Sequence, residues 1–273
     1  MRSYLLLLFC LFLCTGVHAQ ETFPAPVTDL VPKRTNLQRP PLAQQPIREA
    51  DIVWQKRVWR EIDVREKINL AFAYPQRPLA TILMEAVQSG ELRAYSTIDD
   101  RFTTPLTKAD LDALLGSSDT VAVVDPETQL VSYEVVPRTF NPATVVRYRV
   151  QEIWFVDRNT STMQSRIIGL APIVDEQDEA SDFSYAAPLF WINYPEARPI
   201  LGRERAWVTD NETAAVTWDD VFTMRRFDSK VTKEGNVYDR RIEDASPDGR
   251  ERLLIAQRKE RERLARESDL WEW

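Results

Sequence analysis

Beyond residue 19 this 273-residue chain contains no cysteine and no histidine, because Cys10, Cys14 and His18 are its full complement. Whatever folds downstream is built without disulfides, without thiolate or imidazole metal ligands, and without Ser-His-Asp or Cys-His catalysis. Its stability must come from core burial or from partners. Its chemistry is limited to carboxylates, Lys, Tyr, Ser and Thr. The first nineteen residues read as a secretory signal peptide: Arg2, the apolar run Tyr4–Cys14, then Val17-His18-Ala19 at the cleavage positions. The run is shorter than the ~20 apolar residues of a spanning helix. Leu13 before Cys14 does not suit lipid attachment, so a lipoprotein is not expected.

The chain is acidic, with 35 Lys+Arg against 42 Asp+Glu and a net charge of −7. That balance argues against a general nucleic-acid binder, which needs a basic face to collect phosphates. Eight Trp and eleven Phe supply large apolar areas for a core or for interface anchors. Gly-rich phosphate loops of the GxGxxG or GxxxxGK[ST] type are absent from the sequence. A secreted chain of this size without disulfides fits a bacterial periplasm best.

The pattern predicts an α+β fold: a central, mainly antiparallel sheet with flanking helices, a Pro-rich amino-terminal arm and a charged carboxy-terminal helix. Residues 20–50 carry six prolines and read as an extended arm, free or laid along a neighbouring subunit. The folded domain is expected over 51–245 and the charged helix over 246–273. Within the domain, Asp51–Ile62 reads as a strand, followed by a short helix capped by Asp63 with Glu66 at the box position. Leu79–Ser89 predicts a helix that Gly90 stops, with Leu79, Ile82, Leu83, Ala86 and Val87 inward. Thr107 and Asp110 predict a capping box on a helix whose Leu111, Leu114 and Leu115 face inward. Val121–Val124, Leu130–Val136, Val145–Val156 and Met163–Pro172 read as strands. In the third, Val146, Tyr148, Val150, Trp154 and Val156 predict a buried face, and Arg147, Arg149 and Gln151 a polar one. Glu260/Arg263 and Glu262/Arg266 have helix ion-pair spacing.

Glycoside hydrolysis needs only two carboxylates and so survives the loss of His and Cys. Asp99-Asp100, Asp219-Asp220 and Asp175/Glu176 are the candidate pairs. Adjacent positions point apart on a strand, and Asp219-Asp220 reads better as the start of a helix. The acidic stretch Asp175–Asp182 lacks the glycine spacing of a calcium loop and reads as a solvated loop. No catalytic, cofactor-binding or metal-binding residue is assigned. The stripe Trp54, Arg57, Trp59, Arg60 has the composition of an interface hot spot and is the candidate partner contact.

Several blocks in order carry a family resemblance. Residues Trp54–Asn69 (WQKRVWREIDVREKIN), followed by Tyr74-Pro75, resemble the opening signature of the gliding-motility N (PorN) family of the type IX secretion system of Bacteroidota. Gly90–Tyr95 with Asp99-Asp100, Phe102 and Pro105-Leu106-Thr107 is similar to its second block. Val150–Asp157 with Ile167–Pro172 is similar to the third, and Pro188–Ile192 and Trp218–Phe222 continue the series. The resemblance covers about Asp51–Arg241 and leaves the arm and the charged tail outside. It implies a non-enzymatic structural subunit without cofactors, peripherally associated with the outer membrane on its periplasmic side. Its implied partners are an outer-membrane lipoprotein with which it forms rings, the periplasmic domains of the inner-membrane motor complex, and further copies of itself. The alternative reading is a secreted carbohydrate-active protein, a glycosidase or a glycan-binding module, marked by paired carboxylates in an aromatic-lined cleft.

Overall fold

A computed structural model describes residues 40–124, 131–177, 184–208 and 214–270, with backbone alone for 117–124, 131–139, 176–177 and 184–185. The signal-peptide expectation and most of the arm lie outside these residues. The strands are β1 (Ile52–Asp63), β2 (Ala94–Tyr95), β3 (Gly116–Val124), β4 (Val131–Thr139), β5 (Val145–Asp157), β6 (Thr162–Gln177), β7 (Ser184–Pro188), β8 (Trp191–Asn193) and β9 (Lys230–Glu234). The helices are α1 (Leu79–Gln88), α2 (Lys108–Leu115), α3 (Tyr194–Leu201), α4 (Trp218–Thr223) and α5 (Gly249–Asp269). Seven strands form one antiparallel sheet in the order β2-β8-β6-β5-β1-β9, with β7 alongside the end of β6. β3 and β4 pair with each other as a separate ribbon. The α+β expectation therefore holds.

One face of the sheet carries the main core. Ile62, Tyr148, Val150, Leu170 and Ile192 bury against α1, α3, α4 and the 3-10 turn Lys67–Ala73. The predicted inward face of α1 is buried, and Gly90 ends the helix at φ +76°, where any other residue would be strained. Phe72 is the aromatic centre, with ring centroids 5.0 Å from Trp218, 5.5 Å from Tyr148 and 5.8 Å from Phe222. Asn69, fully buried, staples the end of β1 to the segment before β9. Its amide donates to the Asp63 and Asp228 carbonyls and accepts from the Asp228 N–H.

The opposite face corrects the one-sided reading of β5. There Gln151 is fully buried and Arg149 nearly so, while on the first face Glu152 is fully buried among Tyr148, Val150 and Val156, and Val146 and Trp154 are half-buried. The polar face is covered because the chain from Ser96 to Thr104 leaves the β2 edge, crosses the sheet and returns, closed by Ser96 N–H donating to Thr104 O. Phe102, at φ +58°, lays its ring on Gly169 and packs edge-on against Tyr95 and Trp191. Trp59, Ala171 and Trp191 complete this smaller cluster. Gln151 anchors the crossing by donating to the Asp100 carbonyl at 3.0 Å.

Two local expectations also change. Asp63 is the last residue of β1 rather than a helix cap, and its carboxylate takes both Arg65 Nε and Nη2. The Thr107–Asp110 capping box forms, yet only Leu111 and Leu115 are buried while Leu114 is exposed.

Gly169 is glycine for lack of room: a Cβ there would lie 2.5 Å from Phe102 Cζ and 3.2 Å from Gln151 Oε1. Gly169→Ala should cost about 1–3 kcal/mol by overpacking. Chemical denaturation of Gly169→Ala, Phe102→Ala and the double variant should show a double cost well below the sum; strict additivity would disprove the contact. Burial also pushes the Tyr148 and Tyr194 hydroxyls far above the ordinary tyrosine value. Their stabilising contribution is complete below that ordinary value and is lost as pH climbs toward the raised folded values. Absorbance titration should therefore leave these two tyrosines un-ionised until the protein unfolds in alkali. Early ionisation of all tyrosines would contradict this.

Candidate interaction surfaces

The stripe Trp54, Arg57, Trp59, Arg60 lies on β1, where side chains alternate between faces. The strand therefore splits it. Trp54 and Arg60 share the face that meets α5, and Arg57 and Trp59 lie on the other. Arg60 is 7% exposed and Trp59 6%. Trp54 and Arg57 are half-buried.

On the α5 side, charge and aromatic faces replace a conventional apolar seam. Arg60 donates to Ser229 Oγ at 2.8 Å, to the Ser229 carbonyl at 3.2 Å and to Glu260 at 3.0 Å. Arg263, on the next turn of α5, donates to Glu234 at 3.0 Å and also pairs with Glu260. Lys56 and Lys259 converge on the same Glu234 at 3.5 and 3.7 Å. The Arg266 guanidinium lies 4.7 Å from the Trp54 ring, in place of the expected pairing with Glu262, which takes Lys259 instead. Trp154 sits between two guanidinia, Arg225 at 5.2 Å and Arg263 at 5.3 Å. Its indole N–H donates to Glu152 at 2.8 Å, and Arg225 pairs with the same fully buried carboxylate at 2.9 Å. Burial pulls the Arg263 pKa below the ordinary arginine value, aided by Arg60 and opposed by Glu260 and Glu234.

On the other side the Lys233 ammonium lies 4.3 Å from the Trp59 ring centroid and is nearly fully buried. It pairs with Asp239 at 2.7 Å and with Asp100 at 3.3 Å. Trp59 thus supports a cation that ties two loops, 96–103 and 235–240, to the sheet.

Of the candidate carboxylates, Asp99, Asp100, Asp175, Asp219 and Asp220 are held by cations and donors of the fold, while the Glu176 side chain lies outside the described residues. Asp99 accepts from Thr103 Oγ1 and the Arg101 N–H, which hold it below the usual carboxylate range. Asp219 takes the Arg198 guanidinium at 2.9 and 3.0 Å and the Tyr194 hydroxyl at 2.9 Å, while Asp220 completes a capping box with Thr217. Asp175 pairs with Arg147. Arg198 also donates to the Leu42 carbonyl at 2.6 Å and Arg166 to the Gln45 carbonyl. The arm's described end therefore lies along its own subunit. Among the described residues no group of His, Cys, Asp and Glu could hold a metal ion, and no helix is long and apolar enough to cross a membrane. Sequence spacing carried no signal for Lys233, Glu234 or Arg225, since each acts only through strand pairing or a loop return.

Glu234→Gln should leave Arg263 with Glu260 alone and remove the carboxylate that Lys56 and Lys259 share, at about 1–3 kcal/mol. Hydrogen exchange should then speed up across 249–269 first. Glu262→Gln, on the exposed side of α5, should change stability by less than about 1 kcal/mol. Equal protection of α5 in both variants would refute the charged seam.

No curated protein matches this chain. The family model described as gliding motility associated protein GldN matches residues 47–272. The match runs through α5, beyond the Asp51–Arg241 stretch that the sequence blocks carry, and agrees with a helix built into the sheet. The chain belongs to the GldN family of gliding motility and type IX secretion proteins.

Proposed function

We propose that this chain is a non-enzymatic structural subunit of the type IX secretion machinery. It forms rings with an outer-membrane lipoprotein on the periplasmic side and links them to the periplasmic domains of the inner-membrane motor. Residues 1–19 serve as the cleaved leader, 20–50 as a Pro-rich arm, and 51–245 with the helix of 246–273 as the body. The observation that carries this reading is the family match across 47–272. The geometry supports it in one respect. A sheet packed on both faces and locked by paired charges suits a part that must hold an angle between neighbours.

The partner contact, in this reading, uses the members of the β1 stripe that remain partly exposed, Trp54 and Arg57. Trp59 and Arg60 act through the elements they hold. The test is co-expression of the full chain with the outer-membrane lipoprotein of the same system, purification on a lipoprotein tag, and negative-stain electron microscopy. Closed rings are expected, and a monomer that ignores the lipoprotein would overturn the reading. Trp54→Ala and Arg57→Ala should each weaken capture about tenfold, with melting temperature little changed for Arg57→Ala and modestly lowered for Trp54→Ala, which also loses the Arg266 contact to α5. Trp59→Ala and Arg60→Ala should instead lower the melting temperature. Full capture by Trp54→Ala and Arg57→Ala would remove the stripe from the interface.

A further inference from the structure

The β3–β4 ribbon lies outside the main sheet. Its nine pairs run without a bulge from Gly116↔Thr139 to Val124↔Val131. The root is fixed to the body: Gly116 closes α2 as β3 begins, and Phe140 N–H donates to the carbonyl of buried Leu115 at 3.0 Å. Beyond that root, no third strand pairs with β3 or β4 among the described residues. A two-stranded ribbon is marginal by itself in water, and a third strand or a packed face is what stabilises one. The register places Thr120, Ala122 and Val124 on one face with Val135, Tyr133 and Val131, and sets Asp119 and Glu134 on the other.

Free strand edges are kept from pairing by short length, charge, proline or a bulge. The terminal strands of the main sheet follow that rule. β2 spans two residues, and β9 spans five, of which Lys230, Lys233 and Glu234 are charged. Where β9 no longer covers it, β1 is itself bulged between Ile52 and Trp54. The ribbon has none of these devices. Asp119 is the one charge in 117–124 and Glu134 the one charge in 131–136, and neither stretch contains Pro, Lys or Arg. Six of those fourteen residues are valine, which suits strands paired on both sides. β3 and β4 run antiparallel, so the outer edge of β4 complements the outer edge of β3 in a second ribbon, strand direction included. A strand from an unrelated partner would cover one edge and leave the other. Copies of the same ribbon cover both, and a closed ring leaves no edge at all. With the internal register repeated between copies, Glu134 stands opposite Val121 and Asp119 opposite Val136, so no like charges face each other.

From this we infer that β4 of one subunit pairs antiparallel with β3 of a second copy of this chain, so that neighbouring ribbons join into one continuous sheet. The contact is head-to-tail, the heterologous kind that repeats around a ring. The inference rests on the ring reading above and assigns its subunit-to-subunit contact.

The test uses disulfides, which need Cβ atoms about 3.5–4.5 Å apart. Full chains with Cys10→Ser and Cys14→Ser each carry one of Ala122→Cys, Tyr133→Cys, Val121→Cys and Glu134→Cys. They are assembled with the lipoprotein and oxidised, singly and as equal mixtures of Ala122→Cys with Tyr133→Cys and of Val121→Cys with Glu134→Cys. Covalent dimers are expected from the mixtures and from no single variant, because an intervening strand keeps like positions about 9–10 Å apart. In the unmodified chain, hydrogen exchange should slow about tenfold or more in both 117–124 and 131–136 on assembly. Val121→Lys/Val123→Lys supplies the edge charges that β3 lacks. It should weaken self-association about tenfold or more, with melting temperature little changed because the ribbon lies outside the main sheet. Rings that form without dimers from either mixture, or dimers from a single variant alone, would overturn this contact and leave the ring reading standing. Slowed exchange in one strand only would assign that edge to a different partner and refute the contact. Failure of the unmodified chain to assemble would overturn the ring reading, and the contact with it.

Discussion

A carboxylate with no exposed surface in the middle of a sheet must be neutralised, and Glu152 on β5 is that group. An unpaired charge there would cost several kcal/mol, so its partners are fixed by necessity. Arg225 pairs with it, the Trp154 indole donates to it, and the ring of Trp154 then lies between Arg225 and Arg263. Arg263 brings Glu234 and Glu260, Glu260 brings Arg60, and Glu234 brings Lys56 and Lys259. The position of α5 follows from this chain of obligations. The helix itself is mostly charged, and leucines face away from the sheet.

Without disulfides in the described body, the burden on packing is large. The main core answers it with aromatic density: Phe72, Tyr148, Trp218, Phe222 and Tyr194 touch one another by tilted and edge contacts. Edge-on aromatic pairs contribute about 0.5–1.5 kcal/mol each beyond the area they bury. The second face cannot rely on area alone, since β5 supplies Arg149 and Gln151 there. It uses a crossing loop instead, whose backbone satisfies Gln151 and whose Phe102 covers the strip that Gly169 leaves open.

Periodicity and capping made much of this legible. The face of α1, the Thr107–Asp110 box and the long β5–β6 hairpin all depend on residues near in sequence. What escaped depends on residues far apart. β5 reads as half-polar because its own alternation cannot reveal that residues 96–104 come back to cover it. Trp54, Arg57, Trp59 and Arg60 read as one stripe by composition, yet the strand they lie on sends them to opposite faces. Asp63 fits a capping box in the sequence. In the fold β1 runs to that residue, and Arg65 takes the carboxylate. Lys233 carried no signal at all, because its role exists only once β9 pairs with β1 and two loops converge on it.

The reach of the family match through residue 272 and the seam under α5 bear on the same point. A helix held by exposed surface pairs alone would gain little from each, since such pairs are worth about 0–1 kcal/mol. Here Arg263 and Arg60 are buried and Glu234 is nearly so, which makes their mutual pairing obligatory. α5 therefore belongs to the body, not to a tail. Its inner side fixes β9, and β9 carries the Lys233 clamp that sets the 235–240 loop. The helix and the loop tips are thus two ends of one mechanical unit, joined through a five-residue strand. Holding α5 in register steadies Glu234, the residue from which the 235–240 loop departs.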